Sequence, residues 1–152
     1  MSDSIQELSI ERRMAAPPDA VWRAWTEHLT EWFAPAPWKT VKAELDLRPG
    51  GRFHVVMEGP DGERADEGAG VLREVVPERR IVFTDALGPD WMPRKPFMVA
   101  IIELTPDGDG TLYRATVRHW DAESKKRHEE MGFHPGWSQV AEQLEAVAMR
   151  LR

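Results

Sequence analysis

A chain of 152 residues, 41% hydrophobic and 30% charged, is long enough for one domain with a sizeable core, so residues 1–152 are read as a single domain. Its formal net charge of −6 argues against nucleic acid as a partner, because phosphate-binding surfaces usually leave a basic excess. The lack of cysteine excludes disulfides, thiolate nucleophiles and thiolate metal sites; no stretch approaches the ~18 apolar residues of a membrane span; and the polar, acidic opening does not resemble a signal peptide, which makes the cytoplasm the expected location.

Leu8, Ile10, Arg12 and Met14 alternate with Glu7, Ser9, Glu11 and Arg13, the pattern of a strand with one inward face. Pro17, Pro18 and Asp19 end it and open a helix that gathers Val21, Trp22 and Trp25 on one side. A second short helix through Leu29, Trp32 and Phe33 stops before Pro35, since proline cannot continue it. From Lys39 the period returns to two, with Val41, Ala43, Leu45 and Leu47 expected inward. Pro49, Gly50 and Gly51 turn the chain into a return strand whose Phe53, Val55 and Met57 point the same way.

A polar loop over 59–68 leads to strands over 70–76 and 80–86, turned by Pro77 and Glu78. After the loop Leu-Gly-Pro-Asp-Trp-Met-Pro-Arg-Lys-Pro, a strand over 98–104 and the turn Pro-Asp-Gly-Asp-Gly lead to a last strand over 111–119, the seventh. Asp121 is placed to cap a short helix, and Gly132 and Pro135 should break it from a long one. That final helix carries Trp137, Val140, Ala141, Leu144, Val147, Ala148 and Leu151 on one face. From Pro135 on it should reach about 25 Å, enough to cross a sheet.

Helix and sheet together predict a pocket. Trp25, Trp32, Trp38, Trp91, Trp120 and Trp137 fall at helix ends, loops or strand ends, positions that suit either a pocket rim or ordinary packing. His119 shares the inward register of Tyr113, Ala115 and Val117, and Arg12 and Asp85 take inward registers of their own. Such groups either orient a ligand or satisfy one another internally, Arg12 against Asp85 or a backbone carbonyl. His128 and His134 flank the helix break six residues apart, which does not suit a metal site. No nucleophile elbow, Walker loop or dinucleotide fingerprint is present.

Six strings recur in the order of a known group: Ala-Pro-Pro-Asp-Ala-Val-Trp-Arg-Ala-Trp-Thr from Ala16, Trp-Phe-Ala-Pro from Trp32, Asp-Leu-Arg-Pro-Gly-Gly-Arg-Phe from Asp46, Gly-Val-Leu-Arg-Glu-Val-Val-Pro-Glu-Arg-Arg-Ile-Val-Phe-Thr from Gly70, Asp-Gly-Asp-Gly-Thr from Asp107, and His-Glu-Glu-Met-Gly-Phe-His-Pro-Gly-Trp from His128. With them the chain resembles the SRPBCC, or START-like, helix-grip superfamily, and within it the group named after the activator of the ninety-kilodalton heat-shock-protein ATPase. The resemblance implies an α+β fold. A seven-stranded antiparallel sheet would curve around a long C-terminal helix, with two short helices after the first strand.

It also implies a protein that binds a small apolar molecule, lipid-like or aromatic, between that helix and the sheet. Alternatives on the same scaffold are a polyketide cyclase- or hydratase-like enzyme using the cavity, for which His119 or Asp85 would serve as acid or base, and a chaperone-activating interaction module. The candidate ligand-binding set is Trp25, Trp32, Trp38, Phe53, Val55, Met57, Phe83, Asp85, Trp91, Met98, His119, Phe133, Trp137, Val140 and Leu144. No catalytic residue, metal site or cofactor is assigned.

Overall fold

A computed structural model describes residues 5–66, 68–93 and 98–152. Strand β1 (Glu7–Met14) is followed by helices α1 (Pro18–Glu27) and α2 (Leu29–Trp32), then by β2 (Lys39–Leu45), β3 (Arg52–Glu58), the two-residue β4 (Arg64–Ala65), β5 (Gly70–Val76), β6 (Arg80–Thr84), β7 (Met98–Asp107) and β8 (Gly110–His119). Helices α3 (Ala122–Glu130) and α4 (Phe133–Leu151) close the chain. Seven strands form one curled antiparallel sheet in the order β1-β8-β7-β6-β5-β3-β2, and β4 pairs with β3. Helix α4 packs against β1, α1 and α2.

The inward face of β1 is as the alternation requires: Leu8, Ile10 and Met14 are buried and stand opposite Val117, Ala115 and Thr111 of β8. Pro18 sits at the start of α1, where its missing N–H costs nothing. The turn between β2 and β3 needs glycine for want of space, since a Cβ on Gly51 would lie 2.0 Å from the carbonyl oxygen of Asp46. The break before α4 falls where glycine and proline place it. Gly132 takes φ 95°, a left-handed conformation that separates α3 from α4, and Asp121 caps α3 by accepting from the Ser124 N–H at 2.7 Å.

Strand β2 departs from the simple alternation. A bulge between Thr40 and Lys42 shifts the register against β3, so Thr40 is buried while Val41 and, past the strand end, Leu47 are exposed. Ala43 and Leu45 still pack against the core. Arg12 also finds a partner other than Asp85: its guanidinium bonds the Glu145 carboxylate of α4 at 2.8 Å, with Glu142 at 3.8 Å. The second Glu145 oxygen accepts from the Ala15 N–H at 2.8 Å. A helix crossing the end of β1 brings a carboxylate within reach of Arg12 before the chain of β6 can.

Candidate functional site

The core under α4 is aromatic at one end and aliphatic at the other. Trp25 of α1 is buried, with its ring 5.7 Å from Trp32, 6.0 Å from Phe33 and 5.9 Å from both Phe53 and Phe83. Phe53 and Phe83, on β3 and β6, stack at 4.6 Å. The Trp32 indole N–H donates to the Ala24 carbonyl at 2.9 Å, which fixes its ring in the core.

These rings do not meet the first turns of α4 tightly. A cavity of about 240 Å³ remains, walled by Trp25, Trp32 and Phe33 from the helical corner, Met57 and Phe83 from the sheet, and Phe133, Trp137 and Val140 from α4. Tyr113, His128, Met131 and Gly132 complete its lining, among other residues. Burial pushes the Tyr113 phenol well above its usual range, so it stays a neutral hydroxyl. Phe133 and Trp137 stack at 5.2 Å, forming a two-ring wall on one side. A second apolar hollow of about 200 Å³ lies between β3, β5 and β6, lined by Phe53, Val55, Met57, Phe83, Asp85 and Met98 among others. Met57 and Phe83 line both spaces.

The candidate residues thus divide. Trp25, Trp32, Met57, Phe83, Phe133, Trp137 and Val140 surround the first cavity. Phe53, Val55, Asp85 and Met98 belong to the second, where the Asp85 carboxylate accepts from the Met98 N–H at 3.2 Å. Leu144 is fully buried and does not line the first cavity. Trp38 borders a shallow hollow with Thr40 and Gln143. Trp91 is 59% exposed and covers the Gly50 turn, and neither it nor Trp38 reaches the cavity.

His119 is buried at the end of β8 as its register predicts, but it lies behind His128. Its Nε2 and the Nδ1 of His128 are 2.9 Å apart, and His128 makes edge contacts with Phe133 and Trp137 at 5.1 and 6.2 Å. Burial holds both imidazoles below the usual histidine range, His128 at about 4, with His119 adding to the effect on His128 and Lys125 to that on His119. His134 is exposed and sets its ring edge-on to Phe133 at 5.1 Å. Among the described residues no group of three or more metal-ligating side chains converges.

The sequence points to His128 only as a metal-ligand candidate and not as a pocket residue, because α3 is polar and gives no apolar stripe to mark its inward side. Phe33 and Tyr113 were within reach of sequence reasoning: one adjoins Trp32 and the other shares the register of Ala115.

A curled sheet gripping one long helix, with an apolar space at the helix's first turns, defines a helix-grip protein. Residues 15–149 match the family described as activator of Hsp90 ATPase homolog 1-like protein, and the chain belongs to that family. Among solved structures, it is 41% identical to a protein from Nitrosomonas europaea, with a TM-score of 0.90 over 95% of this chain and 94% of that one. A Mycobacterium smegmatis protein at 24% identity gives a TM-score of 0.77 over 95% of each chain. The solution structure of the AHSA1-like protein from Aeromonas hydrophila, 21% identical, gives 0.72 over 95% of this chain and 93% of that one. The last two show the shared fold alone. No curated protein matches the chain. No helix among the described residues is long and apolar enough to cross a membrane.

Proposed function

We propose that the protein binds a small, largely apolar molecule in the cavity between α4 and the sheet. The observation that carries this reading is the 240 Å³ space itself, walled by aromatic rings from several elements, under a helix whose other half is packed solid. Interiors normally close such spaces, because a void forfeits dispersion contacts and costs stability in proportion to its volume. A void kept open next to half-buried Trp137 has the form of a ligand site: apolar walls with a few polar groups, here Tyr113 and His128.

Titration with N-phenyl-1-naphthylamine, a neutral probe whose emission rises in apolar surroundings, tests the reading. Saturable binding at one site per chain, weakened about fivefold or more by Trp137→Ala, is the expected result. Emission that rises without saturating, or that is unchanged by Trp137→Ala, would remove the cavity as a binding site. Native mass spectrometry of protein exposed to a metabolite extract would then identify the natural occupant.

A further inference from the structure

Two apolar spaces lie side by side on the inner face of the sheet, and little separates them. The second hollow exists because strands part: β3 pairs with β5 only through Arg52 and Phe53, and further along, at Met57 and Glu58, it pairs instead with the short β4. Ala65, Gly68 and Gly70 line the opening with side chains too small to fill it. Met57 and Phe83 stand between this hollow and the first cavity, since each of them lines both.

The two members of that partition differ in freedom. Phe83 is fixed: its strand is paired on both sides, at Leu72 and at Ala100, and its ring is stacked on Phe53 at 4.6 Å with Trp25 5.9 Å away. Met57 is half-buried, and its side chain is an unbranched thioether with three rotatable bonds, the kind that changes shape at least cost. Turned aside, it would join the first cavity of about 240 Å³ to the second of about 200 Å³. A compact molecule gains nothing from the added length. An unbranched chain does, because each further methylene buried there adds to its binding.

We infer that Met57 is the gate of one elongated site, and that the ligand is an unbranched aliphatic chain seated against Trp137 and running past Met57 into the second hollow. The inference rests on the ligand-binding reading above and adds the shape of the ligand. Met57 is then the residue that sets the chain length accepted.

Three methionines form a ruler along that path: Met131 lines the first cavity, Met57 both spaces, and Met98 the second hollow. Spectra of protein carrying carbon-13 in its methionine methyls, titrated with 1-hexanol and with 1-decanol, read the ruler. Hexanol should shift Met131 and Met57, and decanol should shift Met98 as well, at one molecule per chain. Met57→Phe, which puts a stiff ring in the partition, should keep the decanol shift at Met131 and abolish the one at Met98. It should also cut the affinity advantage of decanol over hexanol about tenfold or more, as expected when several methylenes lose their apolar surroundings. Decanol that moves Met131 but not Met98, a Met98 that responds to hexanol as strongly as to decanol, or a chain-length preference unchanged by Met57→Phe would overturn the inference and leave the ligand-binding reading standing. Silence of all three methionines toward both alcohols overturns the inference too, and together with failure of N-phenyl-1-naphthylamine to bind it overturns both. Should Met57→Phe not fold, the wild-type spectra decide, because the Met98 response is read without any substitution.

Discussion

The two halves of α4 share one apolar face and one periodicity, yet they do different work. From Ala141 to Leu151 the face is solid: Ala141, Leu144, Val147 and Ala148 are buried against β1, α1 and α2. Polar side chains beside that face lock the helix down. Gln143 donates to the Trp32 and Ala34 carbonyls at 2.9 and 2.7 Å, and Glu145 holds Arg12 and the Ala15 N–H. From Phe133 to Val140 the same face meets large rings that leave space, and Trp137 and Val140 are only partly buried. Small and branched side chains can interdigitate to close packing, whereas rings fixed by neighbouring rings cannot all collapse onto a helix at once. One helix thereby serves as anchor at its C-terminal end and as cavity wall at its N-terminal end.

Substitutions at the two ends should respond differently, and the largest effect belongs to the anchor. Leu144→Ala should cost about 2 to 5 kcal/mol of folding stability, measured by denaturant unfolding, because it opens a void in a filled region. Next is acid. The buried histidines are neutral in the fold, so the unfolded chain takes up protons near pH 6.5 while folded His128 does so only near 4. Stability should therefore be full above pH 6.5 and fall as pH drops toward 4, by up to about 3 kcal/mol. His128→Phe should flatten that window. The carboxylates held low by their partners, such as Asp66 beside His54 and Asp121 at its cap, lose their contribution only at lower pH, below the ordinary carboxylate range.

Gln143→Leu should cost about 1 to 3 kcal/mol, since it removes the side-chain donor from the Ala34 carbonyl and one of two donors from the Trp32 carbonyl, which keeps the Ala34 N–H at 2.9 Å. Trp137→Ala should have the smallest effect on folding, about 1 kcal/mol, while weakening probe binding. A Trp137→Ala cost equal to that of Leu144→Ala in the same unfolding experiment would abolish the distinction between the two halves.

The sequence makes the anchor more legible than the cavity. Period-two runs locate seven strands, Gly132 and Pro135 mark the helix break, and the spacing of Ala141, Leu144 and Ala148 identifies a buried stripe. What escapes is whatever lacks a periodic signal. The bulge at Thr40 exposes Val41 without any residue type announcing it, and β4 is two residues long. Strand β7 runs on through Pro106, because its pairing with β6 ends at Glu103 and the proline has no strand on that side to disappoint. Whether a stripe of apolar residues meets a filled or an open space depends on how the facing rings tilt, which no spacing encodes. His128 is the clearest case: the only buried residue of α3, it sits among lysines, glutamates and arginine.

A half-barrel that never closes also has two rims. Among the described residues, β1 and β2 terminate the sheet, and unpaired strand rims are templates on which a second chain can add itself. The rim at β1 is shielded, because α3 and α4 lie against that strand and Glu145 occupies the Ala15 N–H just beyond it. The rim at β2 is guarded by its irregularity: the bulge interrupts the regular ladder, with Lys39 and Lys42 exposed around it. The departure from alternation that makes β2 hard to read thus also makes it a poor surface for fibrous self-assembly.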